Sequence, residues 1–213
     1  MHIPDGFLDL PIIITLSVVS AGTIFYASKK TDKYIGEKRI PLMGIMAAFI
    51  FAVQMLNIPI PGGTSGHITG ALLVAILLGP FTGFLVMSTV LILQCLIFQE
   101  GGLTALGVNI FNMGFIGALG GYLIYRTLKK IFRSGKGKIS PPAVFIAALL
   151  STVLAALACS IELSISGIFP FEASAISMTL AHSIIGSIEG VITVIVLGFL
   201  KKVRPDLMEI EKV

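Results

Sequence analysis

The chain has 213 residues, 55% of them hydrophobic and 12% charged, with a mean hydropathy of +0.99 and a formal net charge of +4. Soluble domains carry about 25% charged residues, so this composition excludes an ordinary water-soluble globule, and the positive balance fits membrane topology better than nucleic-acid binding. Several apolar stretches reach the roughly 20 residues that a helix needs to cross a bilayer core; the expected fold class is all-α, a polytopic membrane protein.

The chain opens MHIPDGF. No basic stretch precedes the first apolar run, and Asp5 and Asp9 stand there instead, so this is not the pattern of a cleaved signal peptide and Met1 is expected to remain. Apolar spans are predicted over about 9–28, 40–57, 68–79, 81–98, 106–127, 142–164 and 176–200. The third is short, and is expected either to tilt or to open from an ordered loop. Gly79-Pro80 breaks the chain before the fourth.

All 15 Lys and Arg fall between spans one and two (Lys29, Lys30, Lys33, Lys38, Arg39), at or after the end of span five (Arg126, Lys129, Lys130, Arg133, Lys136, Lys138), or after span seven (Lys201, Lys202, Arg204, Lys212). Seven spans put all three regions on one side, which the positive-inside bias makes cytoplasmic; six or eight would not. The N-terminus is then expected outside and the C-terminus inside. The outer face consists of MHIPDGF, NIPIPGGTSGH (57–67), QEGGLTALG (99–107) and the loop around GIFPFEASA (167–175). No internal repeat of the inverted-transporter kind is visible.

Two of the three histidines, His2 and His67, land on that outer face; His182 lies in span seven, nearer its outer end. The dipeptide Met1-His2 offers a cation three nitrogens. The α-amine of Met1 and the amide nitrogen of His2 close a five-membered ring, and that amide and the His2 Nδ1 close a six-membered one. A fourth nitrogen completes a square, and His67 is the obvious donor. Planar nitrogen ligation suits Ni(II) or Cu(II) rather than Zn(II), and an amide ligand leans to nickel over cobalt. The site needs an unblocked Met1 amine. Pro4 and Gly6 can turn the strand back toward the helices, and Asp5 is expected to balance charge or to hold an imidazole N–H. Taken singly, a histidine at position 2 or in a Gly/Ser loop is an incidental surface residue, and that reading stays open at this point.

The remaining polar groups have structural readings beside functional ones. His182 is a hydrogen-bonded intramembrane group or a support behind the ligands. Glu162 and Glu189 are bonded to neighbours or serve as proton relays. Gln54, Asn109 and Asn112 are interhelical hydrogen-bonding residues. Cys95 and Cys159 lack CxxC spacing and read as small buried hydrophobes. Ala48 and Ala52 in span two, like Gly117 and Gly121 in span five, are small-xxx-small pairs that let helices approach closely.

The fixed start MHIPDGF, GGTSGH opening a helix and NIFNMG in span five resemble, over essentially the whole chain, the M subunits of cobalt and nickel energy-coupling-factor transporters, the CbiM/NikM family. The resemblance implies one transmembrane substrate-binding domain over 1–213, with 1–8 as an extracellular metal-binding segment, in the cell membrane of a prokaryote. It implies a capture subunit (S component) for Ni(II) or Co(II), not an enzyme, with no cofactor beyond the bound substrate metal. Met1, His2 and His67 carry over as metal ligands. The implied partners are a transmembrane coupling subunit, cytoplasmic ATPase subunits and a small accessory membrane subunit, with no nucleic acid. Ala48 and Ala52 carry over as the coupling surface. In agreement, the sequence holds no GxxxxGK[ST] phosphate loop. A stand-alone proton-coupled carrier or channel, using Glu162 or Glu189, is the alternative. An intramembrane metalloenzyme would want HExxH or a similar cluster, which the sequence lacks.

Overall fold

The computed structural model of the chain describes residues 1–32, 39–60, 64–135 and 138–207. The predicted basic positions Lys33, Lys38, Lys136 and Lys212, and residues 61–63 of the second outer segment, lie outside the described residues.

The protein is mostly helical because an apolar chain in lipid has to satisfy its backbone N–H and C=O groups internally, and a helix does so within one segment. Among the described residues five helices are long and apolar enough to cross a membrane: α1 (Leu10–Asp32), α4 (Pro80–Phe98), α5 (Leu106–Ile131), α6 (Pro141–Ile165) and α7 (Phe171–Val203). The second predicted span is the shorter helix α2 (Arg39–Gln54). The third is the eight-residue helix α3 (Ala71–Leu78), whose every residue is buried. At 1.5 Å per residue α3 extends about 12 Å, well short of a bilayer core.

Helix α3 opens from an ordered loop. Strands β1 (Ile58–Ile60) and β2 (Thr64–Gly66) pair antiparallel, with Ile58 opposite Gly66. The chain then passes through His67 to Gly70, which takes φ 67°. Glu189 on α7 accepts hydrogen bonds from the backbone N–H of Thr69 (2.9 Å) and of Gly70 (3.0 Å), and from the Thr69 hydroxyl (2.8 Å). A buried carboxylate there stabilises the otherwise unpaired N–H groups at the start of a helix. Gln54 donates to the Thr69 carbonyl at 2.7 Å, so the turn after His67 is held from α2 and from α7.

Helix α5 was not expected to change its winding. Residues Phe111–Gly120 run as a π-helix within it, a rare form that tends to mark functional regions. From this segment Asn112 donates to Glu162 on α6 at 2.7 Å. The predicted small pair packs inside the protein: a Cβ on Gly117 would lie 3.1 Å from Ala71, and one on Gly121 3.0 Å from Ser151. A pair not singled out from sequence, Gly186 and Gly190 on α7, brings that helix against the backbone of Leu149 and Phe145 on α6.

The outer faces of the helices are apolar. Ile176, Leu180, Ile184, Ile188 and Ile195 form an exposed ridge along α7, the surface expected against lipid. Lys29 and Lys30, Lys129 and Lys130, and Lys201 and Lys202 sit in the last turns of α1, α5 and α7. Ala48 and Ala52 are exposed on α2. Cys95 and Cys159 are free and buried.

Candidate metal centre

The N-terminus is built into the protein rather than left on its surface. Met1 and Ile3 are fully buried, and His2 is 6% exposed. Contacts from three other parts of the chain hold its first three residues. The Met1 amine donates to the Ser65 carbonyl of β2. Asn109, near the start of α5, accepts from the Ile3 N–H at 2.9 Å and donates to the Ile3 carbonyl at 3.1 Å. The Gly102 N–H donates to the same carbonyl at 2.8 Å.

The approach of the 99–107 loop requires glycine. Gly101 has φ 82°, and a Cβ there would lie 2.9 Å from Asn109 and 3.4 Å from the His2 ring. A Cβ on Gly102 would lie 2.3 Å from the Asp5 backbone nitrogen. Of the two roles expected for Asp5, the structure does not show the hold on an imidazole N–H. Its carboxylate accepts from the Thr104 hydroxyl, the Thr104 N–H (2.8 Å) and the Leu103 N–H (3.1 Å), and these bonds, the hydroxyl's first, hold its pKa below the usual carboxylate range. Asp5 therefore ties the start of the chain to the loop before α5 and does not hold an imidazole. The chain turns at Gly6 with φ 81°, as Pro4 and Gly6 led us to expect.

The His2 and His67 rings lie 4.7 Å apart, centroid to centroid, at an interplanar angle of 31°. Each ring has one nitrogen committed. His2 Nε2 lies 3.2 Å from Gln94 Oε1 on α4, and His67 Nδ1 lies 3.2 Å from the Ile68 carbonyl. Both acceptors are carbonyl oxygens, so each committed nitrogen is the N–H and the other carries a lone pair. Those other nitrogens, His2 Nδ1 and His67 Nε2, are buried without a hydrogen-bond partner. A buried polar atom left unpaired is costly and calls for an explanation.

The electrostatics keep these groups neutral. Burial lowers the Met1 amine from 8.0 to about 6, against the opposing pull of Cys159 and Glu100. Burial, then the nearby amine, lowers His2 from 6.5 to about 3, with the Gln94 hydrogen bond opposing. Burial, the amine and His2 push His67 down as well. At neutral pH the cluster presents lone pairs, not charges, which is what a cation needs. Glu100 lies beside it, with Oε1 3.7 Å from His2 Nδ1.

His182 does not join the pair directly. Its Nδ1 faces the Met178 carbonyl at 2.8 Å within α7, while its buried Nε2 is unpartnered and the ring is within electrostatic reach of His67. Glu162 and Glu189 are both engaged by neighbours. Among the described residues no group of three or more His, Cys, Asp or Glu could hold a metal; a centre here has to draw on the terminal amine and the backbone. Sequence reasoning missed Gln94 and Glu100, and took Asn109 for interhelical glue. A buried glutamine in an apolar span was a signal that could have pointed to Gln94.

Known proteins share this arrangement of the chain. The family described as "Cobalt uptake substrate-specific transmembrane region" (CbiM) matches residues 2–207. A protein of Archaeoglobus fulgidus named for fused nickel transport (NikMN) is 42% identical over 211 residues, 98% of this chain and 68% of the relative. A protein of Haloquadratum walsbyi named for metal transport is 41% identical over 210 residues, 98% of this chain and 93% of the relative. The crystal structure of a truncated transition metal transporter superposes with a TM-score of 0.86 at 34% identity, covering 95% of this chain and 99% of that one.

Proposed function

Because the chain belongs to the family of cobalt uptake substrate-specific transmembrane regions, we propose that it captures Ni(II), with Co(II) as the competing cargo, as the S component of an ATP-driven energy-coupling-factor importer. The ligands are the Met1 amine, the amide nitrogen and Nδ1 of His2, and Nε2 of His67. The observation that carries this reading is the pair of buried, unpartnered nitrogens, His2 Nδ1 and His67 Nε2, on facing rings beside the buried Met1 amine.

The chemistry is capture with proton release. The cation loses water, the His2 amide gives up its proton, and four nitrogens close around the metal. Gln94 and Ile68 keep the two N–H groups pointed away, which fixes the tautomers. Planar four-nitrogen ligation favours nickel.

The two ends of one helix support a topology. Asn109, which holds the N-terminal segment, lies in the first turns of α5, and Lys129 and Lys130 lie in its last turn. A helix of this length spans about 39 Å. This supports an N-terminus outside and a C-terminus in the cytoplasm of a prokaryotic cell membrane, with the whole chain as one substrate-binding unit. The chain is not an enzyme in this reading. Energy comes from a coupling subunit and ATPase subunits, with a small accessory membrane subunit as a further partner. Ala48 and Ala52, exposed on α2, offer the coupling subunit a close approach. The alternative of a stand-alone proton-coupled carrier gains little from Glu189, both of whose oxygens are engaged by Thr69 and Gly70, or from Glu162, one of whose oxygens accepts from Asn112.

The test is the metal content and visible absorption spectrum of the purified chain, with its native Met1, after exposure to nickel and to cobalt. One nickel per chain with a planar-nitrogen spectrum is expected. A spectrum of octahedral oxygen ligation would refute the site. ATP-independent, proton-driven nickel uptake by proteoliposomes holding this chain alone would favour the carrier instead.

A further inference from the structure

A chamber of about 380 Å³ opens beside the paired histidines, lined among others by His2, Asn57, Ser65, Gln99 and Glu100. At about 30 Å³ per water, such a space admits a cation together with its hydration shell. Its inner wall includes His2, whose side chain is 4% exposed and whose Nδ1 is unpartnered; Glu100, at 15%, stands nearer to solvent. Glu100 is acidic, and the other residues lining the chamber are not.

We propose that Glu100 is the docking carboxylate of the metal path, binding the incoming divalent cation in this chamber and passing it to the nitrogens of Met1, His2 and His67. This rests on the ligand set proposed above. The nitrogen set is buried and includes no carboxylate, so the acidic side chain at the pocket is the group that draws a hydrated dication. Carboxylate oxygen also suits a cation that still carries water. The position is right for transfer. Glu100 Oε1 lies 3.7 Å from His2 Nδ1, so a metal leaving the carboxylate meets that lone pair next. Asn57 donates to the same oxygen at 2.5 Å, which holds the carboxylate at the chamber. Planar nitrogen ligation then leaves the carboxylate no place in the final complex, so Glu100 acts on the way in and is not retained.

The experiment is stopped-flow mixing of the full chain, with native Met1, with nickel chloride, read by the visible absorbance of the nitrogen complex. Glu100→Gln should slow association at low ionic strength by about tenfold or more and flatten its salt dependence, while the final spectrum matches wild type. Glu100→Asp keeps the charge and should stay within about threefold of wild type. Asn57→Ala should slow association by less than Glu100→Gln. The proposal is overturned if Glu100→Gln associates as fast as wild type, if Glu100→Asp is as slow as Glu100→Gln, or if Glu100→Gln changes the final spectrum. A wild-type protein that never develops the nitrogen spectrum would instead overturn the ligand set itself, and this proposal with it.

Discussion

The His2 ring faces the His67 ring at 4.7 Å, and the nitrogen that each leaves unpartnered is buried. Two elements far apart in the chain make that meeting: the N-terminal segment and the turn between β2 and α3. Each is anchored by polar groups from other helices, so the proposed ligands stand on a preformed scaffold. That scaffold generates the following expectations.

Inserting one alanine between Met1 and His2 should lower nickel affinity on the order of a hundredfold or more. The Met1 amine is bonded to Ser65 and Met1 is fully buried, so the lengthened segment has no room to return its amine to the same place. Equilibrium dialysis of nickel against the inserted variant and wild type checks this. Unchanged affinity that still depends on His67 would mean that the amine is not a ligand; affinity independent of His67 would mean that Met-Ala-His closes its own four-nitrogen chelate.

Asn109→Ala should weaken nickel binding by about 10- to 100-fold and lower stability by about 1–3 kcal/mol. The change leaves the buried Ile3 N–H without its partner and frees the residue next to His2. Metal titration and thermal unfolding of the same preparation separate the two effects.

Metal binding should weaken with acid in two stages. Release of the His2 amide proton makes the apparent affinity fall about tenfold per pH unit above pH 6. Below about 6, where the Met1 amine takes up its own proton, the fall should steepen to about a hundredfold per unit. The metal-free protein has a related dependence. The amine is lowered from 8.0 to about 6 on folding, so the unfolded chain binds more protons in that window. Stability from this group is present above 8 and is lost as the pH falls toward 6. Competitive titration and thermal unfolding across pH 5 to 8 test both, and a single slope for affinity would remove the amine from the ligand set.

Glu189→Ala should destabilise the protein by about 2–4 kcal/mol, because the N–H groups of Thr69 and Gly70 lose a buried acceptor. Glu189→Gln keeps an acceptor oxygen and should lose less. Nickel affinity should fall with the first variant, since the anchored turn carries His67. If Glu189 were instead a proton carrier, Glu189→Gln would abolish transport while leaving stability and affinity intact, which differential scanning and binding measurements distinguish.

Much of the site was legible. Counting chelate rings at Met1-His2 needs no tertiary structure, because covalent bonds set the ring sizes. The Lys and Arg positions placed His2 and His67 on one face because charge bias acts on whole loops. Asp5 was misread because a short carboxylate binds whatever donors lie within about 3 Å, and those are Leu103 and Thr104, which only folding brings near. Gln94 and Glu100 were missed for the same reason: their importance depends on reaching His2.

Hydropathy along the chain determined that this is a membrane protein of apolar helices, because the cost of unpaired backbone in lipid depends on local composition and length. The identity of its first two residues determined a potential three-nitrogen donor set, because that chelate is covalently prearranged. Only the tertiary structure decided that α3 is a short buried helix hung from Glu189 and Gln54, that Asn109 and Gly102 clamp Ile3, and that Gln94 commits one nitrogen of His2 and leaves the other open. Each of these depends on contacts between residues distant in sequence, and such contacts are set by how whole helices pack.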